Sequence, residues 1–405
     1  MKLTYFDFPG RAEAIRDALR IGGIAFTDAR VSHAEFRALR DAGALPFDSL
    51  PVLELADGTV IDQSNTLLRY VGRLAGLMPA APSEALRVEA LLDSAEDFGG
   101  RVSSSIRTPD EALRIALREE LVRLWLPQWC GLLERSLAVD GKGWLVGDTL
   151  TIADLKLVHW FDKLTNGSLT GIPTDLLHPF PALTAWREQT HRERAARILH
   201  HRVKNNLQIV SSLLTLQADQ QSDPVARSVL LESAHRVISM ALIHEQMYGV
   251  TSLDRIDLGA YASRLVDYLR AALAPSARVK VVAADVRVTL DLAVPLGLIL
   301  NALVTNAFKY GTPQRPVDRT NPPPSDEDWD VRVTIGEHEG SIVIEVEDRG
   351  PGLPEGFNPR KSSSLGLQII QSLARQLRGK LTATSPKGAV LRFTCSNATP
   401  PPNVP

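Results

Sequence analysis

Two adjacent histidines in the stretch LHHRVKNNLQ, residues 199–208, are the first candidates for chemistry. His200 and His201 are followed by Arg202 and Asn205, in a segment whose apolar residues recur at helical spacing. Such histidines can be packed core residues, metal ligands or nucleophiles. A shared metal site is the weakest interpretation, because adjacent residues do not share a helix face and no cysteine or carboxylate cluster accompanies them.

A second pair of candidate residues lies in the apolar segment VPLGLILNALVTNAFKY. Asn306 and Lys309 are three residues apart and therefore share a face of the predicted helix. An amide oxygen can ligate a hard cation such as Mg²⁺, and an ammonium can neutralise a phosphate. Taken alone, such an asparagine is more often an ordinary solvated side chain.

Two glycine-containing segments follow, EDRGPGLP and SSSLGLQII. Asp348 ends a predicted strand and can accept a hydrogen bond from an exocyclic amine, while Gly350 and Gly352 let the backbone approach a ligand closely. Ser364 and Gly366 stand at a predicted helix start, where free N–H groups favour phosphate. A D-x-G-x-G string is often only a turn, but all of these pieces in this order, in a mixed α/β context, are hard to explain by chance.

The N-terminal segment offers a different chemistry. Tyr5 closes a predicted strand and Arg11 starts the following helix, so the phenol is expected to have a lowered pKa and to hydrogen-bond a thiolate. Leu50-Pro51 precedes a strand, where a cis proline can expose the preceding backbone to a ligand. Gln63-Ser64 opens another helix, whose N–H and hydroxyl groups suit a carboxylate. By itself Tyr5 would be interpreted as a strand residue, since Tyr is common in strands.

The elements that position these residues belong to a chain of 405 residues with ordinary globular composition. Hydrophobic residues make up 44% and charged residues 23%, and the net charge of −2 gives no indication of nucleic-acid binding. Two cysteines, Cys130 and Cys395, are too few for a disulfide or zinc framework and favour a reducing compartment. No apolar run reaches about 18 residues and the N-terminus does not resemble a signal peptide, so we expect a cytoplasmic protein without a membrane span.

Periodicity divides the chain into segments. Strand and helix signals alternate over the first ~80 residues, and helical signals continue from about 84 to about 197. Thr151, followed three residues later by Asp154, predicts a capped helix. The segment TAWREQTHRERAARILHHRVKNN predicts one helix that crosses into the second half. Two long helices there predict a hairpin that forms a four-helix bundle in a dimer.

Residues 198–395 resemble a sensor histidine kinase. HHRVKNNLQIVSSLLTLQ and RVISMALIHEQMYG are similar to the dimerisation and phosphoacceptor hairpin of the subfamily whose H-box reads H-R-x-x-N. LILNALVTNAFKYG, VEDRGPGLP and SLGLQIIQSLARQLRGKL are similar to the asparagine and glycine boxes of its ATP-binding domain. The resemblance implies the gyrase/histidine-kinase ATPase fold, with ATP and Mg²⁺ as ligands.

This resemblance assigns roles to the candidate residues. His201 matches the phosphoacceptor because it directly precedes the arginine, and a neutral imidazole with a free pKa of about 6.5 is a nucleophile near neutral pH. Asn205, one turn later, can orient the ring, and Arg202 can pair with the phosphoryl group or an acidic partner protein. Asn306 is the expected Mg²⁺ ligand. The implied ATP-binding residues are Asn306, Lys309, Asp348, Gly350, Gly352, Ser364 and Gly366.

Two positions depart from the kinase pattern. Ala302 stands where the asparagine box usually carries Glu, and Ala389 stands where similar domains usually carry Thr near the adenine. Ala302 favours slow or absent autophosphorylation and Ala389 weaker nucleotide binding, although catalysis of this kind depends mainly on positioning and charge neutralisation.

Residues 1–195 resemble a cytosolic glutathione transferase, closest to the sigma class. The motifs KLTYFDFPGRAE, LPFDSLPVLEL, DQSNTLLRYVGRL and WLVGDTLTIADL carry the match. Tyr5 matches the thiol-activating tyrosine and Arg11 its supporting arginine, while Ser49 stands where the family usually has Lys. The implied glutathione-binding residues are Tyr5, Arg11, Arg40, Leu50, Pro51, Gln63, Ser64 and Asp97.

The expected fold class is multidomain α/β and α. We predict a thioredoxin-like domain (1–77), an all-helical domain (84–195), a dimerisation and histidine phosphotransfer hairpin (196–252), an α/β-sandwich ATP-binding domain (253–397) and a tail (398–405). The first functional hypothesis is a homodimeric soluble histidine kinase that phosphorylates His201 and passes the phosphate to a response regulator, with glutathione or an electrophile as input. The alternatives are a glutathione transferase carrying a degenerate kinase and a non-catalytic adaptor that binds a response regulator.

Overall fold

The computed structural model describes residues 1–246, 255–312, 329–361 and 364–397. They fall into two compact units, residues 1–201 and 202–405. The predicted tail, 398–405, lies outside the described residues.

The first part of the first unit is a four-stranded sheet with helices. Strand β1 lies parallel to β2 and antiparallel to β3, which pairs antiparallel with β4, giving the order β2-β1-β3-β4. This mixed arrangement agrees with the predicted thioredoxin-like domain. The elements are β1 (Lys2–Phe6), α1 (Glu13–Ile21), β2 (Thr27–Val31), α2 (His33–Asp41), β3 (Val52–Glu54), β4 (Val60–Asp62) and α3 (Ser64–Leu74).

Helices make up the rest of the first unit, as predicted. The capping box at Thr151 is confirmed, because Asp154 accepts from the Thr151 N–H and hydroxyl at 2.8 and 2.7 Å. Asp154 is fully buried and also accepts from the Trp186 indole at 2.7 Å, so the cap joins two helices. The elements are α4 (Pro82–Arg107), α5 (Glu111–Glu120), a π-helical turn (Leu121–Trp125), α6 (Leu126–Asp140), α7 (Ile152–Thr165) and α8 (Pro181–Asp219).

Helix α8 confirms the prediction of one helix across the junction. It contains 39 residues and begins in the first unit, and its residues from Arg202 onward belong to the second. Helix α9 (Pro224–Gln246) follows it. The Ser211 hydroxyl donates to the Ala234 carbonyl at 3.3 Å, so the two helices touch within the second unit as the predicted hairpin requires.

The predicted ATP-binding region is a five-stranded sheet packed against helices. The strand order is β10-β11-β9-β8-β6, with β6 and β8 parallel and the other pairs antiparallel. Side chains of β8 and β9 alternate between buried and partly exposed, which is the pattern of a sheet with one covered face. The elements are β5 (Ile256–Asp257), α10 (Leu258–Leu273), β6 (Val279–Ala283), β7 (Arg287–Val288), α11 (Leu290–Tyr310), β8 (Val331–His338), β9 (Ser341–Asp348), α12 (Leu365–Gln376), β10 (Lys380–Thr384) and β11 (Val390–Ser396).

Helix α11 is the central apolar element of this region. Within the described part of the chain, it alone has the length and hydropathy of a membrane span, but 72% of that window is buried inside the protein. Its side chains Leu296, Ile299 and Leu303 are fully buried in the same core as the inner faces of β8 and β9. Each such side chain stabilises the fold by roughly 1.5–3 kcal/mol, so α11 is a core helix.

Candidate functional site

The predicted phosphoacceptor segment lies on α8. His201 is half-buried, whereas Arg202 and Asn205 are exposed. Asn205 follows His201 by one helical turn, as the sequence predicts. Beyond it, Asn205 and Ile209 line a shallow groove together with Gln208, Ser212 and Leu213.

Several of the predicted nucleotide-site residues gather around the C-terminal end of α11. A Cβ built on Gly366 would lie 3.9 Å from the Asn306 Oδ1 and 3.8 Å from the Ala302 Cβ, so the asparagine box faces the start of α12. A Cβ on Gly350 would lie 2.5 Å from the Gly311 Cα, so the loop after β9 touches the end of the same helix. Close backbone approach at these glycines is therefore realised in the fold.

Asp348 is held rigidly by backbone groups. Its Oδ1 accepts from the N–H of Gly350 at 2.9 Å and from the N–H of Ala389 at 3.1 Å, and the side chain is buried. The backbone of Asp348 also pairs with Ala389, at 2.9 Å. The residue that replaces the family's usual Thr thus positions Asp348 through its main chain, which a side-chain substitution leaves intact.

Ser385 joins the glycine loop to the turn between β10 and β11. Its hydroxyl accepts from the Leu353 N–H at 3.0 Å and donates to the Gly388 carbonyl at 2.9 Å. A Cβ on Gly352, which has φ +83°, would lie 2.4 Å from the Ser385 Oγ. Ser385 was not predicted, because a lone serine in a turn carries no sequence signal.

Ser364 forms the predicted helix start. It is the N-cap of α12, and its hydroxyl accepts from the Leu367 N–H at 3.4 Å. The first N–H groups of α12 and the backbone of Gly366 therefore lie at the same place as Asn306, where they can receive phosphate oxygens.

Lys309 does not face the same neighbours as Asn306, although the sequence predicts that the two residues share a helix face. Its ammonium pairs with the Glu232 carboxylate on α9 and donates to the Ser228 hydroxyl at 3.4 Å. Asn306 instead faces Gly366 of α12. Three-residue spacing placed the two side chains about 60° apart on the helix, and two different neighbouring helices contact them.

The donor set around Asn306 fits a magnesium ion that is bound largely through nucleotide and water. No group of three or more His, Cys, Asp or Glu side chains suited to a metal occurs in the described ranges. Mg²⁺ in nucleotide sites usually takes only one or two protein ligands, together with phosphate oxygens and water. The Asn306 amide oxygen supplies one protein ligand, which is the smallest number in that range, because Ala302 stands where a carboxylate could supply a second.

Tyr5 is buried against the loop that follows its strand. The Arg11 N–H donates to the Tyr5 Oη at 3.3 Å, and a Cβ on Gly10 would lie 2.6 Å from that oxygen. Burial raises the pKa of Tyr5, and the Arg11 N–H and the cations Arg11 and Arg16 only partly oppose this effect. The expected lowered pKa is therefore wrong: the phenol stays protonated at neutral pH, and its O–H is a hydrogen-bond donor.

The other predicted glutathione residues occupy the edge of the sheet and the start of α3. The Leu50-Pro51 peptide bond is cis, as the sequence suggested, and both residues are buried. Gln63 has φ +71°, a conformation that non-glycine residues adopt only when the surrounding structure enforces it. Ser49, in place of the family's Lys, donates to the Asp62 carboxylate at 3.1 Å.

A partly buried ion pair lies beside Ser64. The Ser64 hydroxyl donates to the Glu96 carboxylate at 3.4 Å, and the Lys156 ammonium donates to the same oxygen at 2.5 Å. Burial lowers the pKa of Lys156 against the opposing effect of Glu96, whereas Lys156 keeps the pKa of Glu96 low despite burial. Lys156 therefore neutralises a carboxylate that would repel an anionic ligand at Ser64.

Two of the predicted glutathione-binding residues are exposed at the surface. Arg40 is exposed, and its guanidinium donates to the adjacent Asp41 at 3.0 Å. Asp97, which the transferase resemblance implies as an acid reaching across a dimer, is also exposed.

Several candidate site residues were not found from the sequence. They are the close neighbours Gly10, Gly23, Glu96, Lys156, Glu232 and Ser385. Only Gly10 had a signal, because it lies in the motif that contains Tyr5 and Arg11.

Comparison with known families covers both units. The family model described as histidine kinase matches residues 199–273, and the one described as histidine kinase-, DNA gyrase B- and HSP90-like ATPase matches residues 291–399. The family model of the glutathione S-transferase C-terminal domain matches residues 96–196.

Individual relatives show the same division. A sensor histidine kinase, PdtaS of Mycobacterium tuberculosis, is 31% identical over 253 residues, which is 60% of this chain and 47% of that protein. Glutathione S-transferase 2 of Caenorhabditis elegans is 32% identical over 169 residues, 41% of this chain and 88% of that protein. The crystal structure of the glutathione S-transferase from Ascaris lumbricoides is 30% identical, with a TM-score of 0.40, and covers 47% of this chain and 91% of that chain.

These matches confirm both resemblances. The chain belongs to the glutathione S-transferase family through its first half, and its second half matches the family models of a histidine kinase and of a histidine kinase-like ATPase. The chain spans about half the length of the curated sensor kinase that it matches.

Proposed function

We propose that the protein is a cytoplasmic sensor histidine kinase that phosphorylates His201 from ATP and passes the phosphate to an aspartate of a response regulator. The carrying observation is that α8 is one continuous helix, which begins in the glutathione S-transferase-like unit and bears His201, Arg202 and Asn205. A change in the first unit can therefore act directly on the helix that holds the acceptor.

The proposed reaction requires little covalent chemistry from the protein. A ring nitrogen of His201 forms a bond to the γ-phosphorus as the bond from that phosphorus to the ADP oxygen breaks, and the ring proton passes to solvent. Asn205 orients the imidazole, and Arg202 neutralises the phosphoryl oxygens. Magnesium, when bound, supplies charge neutralisation at the triphosphate.

The nucleotide is held by residues from three segments. Asp348 accepts from the exocyclic amine of adenine, and Gly350 and Gly352 shape the loop beneath it. Asn306 provides the protein oxygen for the metal, and the N–H groups at Gly366 and Ser364 receive phosphate oxygens. Lys309 binds a phosphate oxygen of the nucleotide when its ammonium leaves the carboxylate of Glu232.

A homodimer is part of this proposal. Ile209, Leu213 and Leu216 lie at helical spacing on α8 and are 55–59% exposed, and Val225 on α9 is 70% exposed. An apolar stripe of this kind is suited to a four-helix bundle between two copies. Light scattering should give twice the chain mass of 44.3 kDa, and a monomer at micromolar concentration would contradict the proposal.

The decisive test is phosphate transfer from radiolabelled ATP to the full-length protein, with and without glutathione. Acid-labile label should appear in the wild type and in His200→Ala, the neighbouring control, and should be lost in His201→Ala. Label that remains in His201→Ala, or no label with ATP bound, would refute autophosphorylation at this residue. If ATP binds but no label appears, and the protein still binds a response regulator, the result favours the non-catalytic adaptor.

Glutathione conjugation is the second candidate function. It is favoured by the Tyr5 oxygen, which accepts from Arg11 and so leaves its own O–H to donate to a thiolate. Conjugation of a generic electrophile should fall at least about tenfold in Tyr5→Phe, the loss expected for one hydrogen bond to a charged group. Tyr70→Phe, which changes an exposed tyrosine, is the control, and absence of turnover with a broad panel of electrophiles would exclude this activity.

A further inference from the structure

The turn between α1 and β2, residues 22–26, has a conformation that depends on glycine. Gly23 has φ +61°, and the Gly22, Gly23 and Ile24 N–H groups bond back to the last turn of α1 at 2.9, 3.2 and 2.9 Å. This closure of a helix end uses the left-handed region, where glycine is favoured.

The His201 ring lies directly against this turn. A Cβ built on Gly23 would lie 2.5 Å from the His201 Nδ1 and 2.6 Å from its Cε1. The Nδ1–Cε1 edge of the imidazole therefore occupies the space that any side chain at Gly23 would need. Both residues belong to the first unit.

One ion pair joins α8 to α1, and two further contacts hold α8 within the first unit. The Arg194 guanidinium donates to the Asp17 carboxylate at 3.0 Å, and the His159 ring nitrogen lies 2.7 Å from the same oxygen. The Arg197 guanidinium donates to the Thr149 hydroxyl at 3.1 Å. Ile198 packs against the apolar core of the unit. The position of His201 is thus fixed over two helical turns.

Phosphoryl transfer requires the γ-phosphorus to approach a ring nitrogen at about 3–3.5 Å with aligned orbitals. Gly23 lies against the Nδ1–Cε1 edge of the ring, so it obstructs this approach at Nδ1. We propose that the α1–β2 turn is an autoinhibitory cover for His201, so that the glutathione S-transferase-like unit limits the reactivity of the acceptor until α8 separates from α1. This inference rests on the proposed role of His201 as phosphoacceptor.

The test replaces the glycine by a residue that keeps the backbone but displaces the ring. Gly23→Asn retains a left-handed conformation at small cost, since asparagine is the residue that tolerates it best after glycine. Gly43→Asn is the matched control, because Gly43 also follows a helix with φ +66° and has nothing within 4 Å of its Cβ position.

Two readouts are taken on the full-length proteins. The first is carbethoxylation of His201 by diethyl pyrocarbonate, followed by fragment-ion mass spectrometry, with His200 in the same tryptic peptide as internal reference. It needs neither ATP nor kinase activity. The second is the initial rate of autophosphorylation. We expect Gly23→Asn to raise both by about 3- to 10-fold over wild type, in proportion to the uncovered fraction, and Gly43→Asn to change neither.

Arg194→Gln provides a second route if Gly23→Asn fails to fold. It loosens α8 from Asp17 without touching the turn and should raise both readouts in the same direction. Arg192→Gln, an exposed position on the same helix, is its control.

The outcomes separate the cover from the kinase function. Equal carbethoxylation of His201 in wild type and in the folded loosening variants refutes the cover, whatever the kinase activity. Increased carbethoxylation with unchanged autophosphorylation in an active kinase refutes the autoinhibitory role. Increased carbethoxylation with no autophosphorylation in any variant confirms the cover as a contact and refutes the proposed kinase function.

Discussion

Replacing Glu232 by glutamine should tighten ATP binding, because Glu232 competes with phosphate for Lys309. The ammonium of Lys309 is paired with the Glu232 carboxylate. The same charge cannot fully neutralise a carboxylate and a triphosphate, so ATP binding through Lys309 must break the pair.

The expected size follows from the exposure of the two side chains. They are 28% and 25% exposed, which lies between the exposed pairs, worth about 0.2–1 kcal/mol, and the buried ones, whose disruption costs about 3–5 kcal/mol. We take about 1 kcal/mol, which corresponds to about a fivefold preference for the paired state. Removing it should lower the apparent Kd for ATP about fivefold, because a larger fraction of the protein is competent to bind.

Titration calorimetry with ATP on the full-length protein measures this change. Asp267→Asn is the control, since it removes the same charge from a pair at 3.9 Å whose carboxylate is 75% exposed. It should leave the Kd unchanged, and an equal gain in both variants would indicate a general charge effect. The competition is refuted if Glu232→Gln leaves the Kd unchanged, or if it lowers the Kd equally in a Lys309→Ala background.

Three other outcomes are expected. Ser385→Ala should raise the Kd for ATP about threefold to tenfold, because the loop beneath Asp348 loses a bridging hydroxyl. Ser385→Thr should restore ATP binding, and Thr382→Ala, the control in the same hairpin, should leave the Kd unchanged. A fall in the Tm of Ser385→Ala without a change in its Kd for ATP would contradict the positioning role. Asp154→Ala should lower the free energy of unfolding of the first unit, measured by calorimetry, by roughly 3 kcal/mol, since it leaves buried donors unpaired. A change under about 1 kcal/mol would disprove this account. Burial raises the pKa of Cys130 to about 12 and that of Cys395 to about 11, so neither thiol should react with iodoacetamide at pH 8 before denaturation, and rapid labelling of the native protein would contradict their burial.

The local structure around the kinase motifs followed from the sequence because its signals are local. Helix periodicity placed α8, α11 and α12, and the strand pattern placed β9. Ser364 and the Thr151 capping box were predictable since a cap is defined by residues three positions apart. The roles of His201, Asp348 and Gly366 came from motifs whose order along the chain is itself specific, and these roles remain predictions.

Electrostatics and distant contacts could not be obtained in this way. Tyr5 was expected to have a lowered pKa because a cation and a helix start were visible nearby, but the burial that raises its pKa depends on the packing of the whole unit. The pairing of Lys309 with Glu232 requires the register of α9 against α11, which no local pattern encodes.

The sequence by itself therefore determined the glutathione S-transferase family of the first half, the kinase resemblance of the second, the elements and the identity of the residues capable of chemistry. Only the tertiary structure decided which of them are engaged. It places the His201 ring against Gly23, Lys309 against Glu232 and Asp348 under the main chain of Ala389. The physical reason is that residue types fix what a group can do, whereas burial and long-range neighbours, set by the packing of whole helices and sheets, fix its charge state and its access to a substrate.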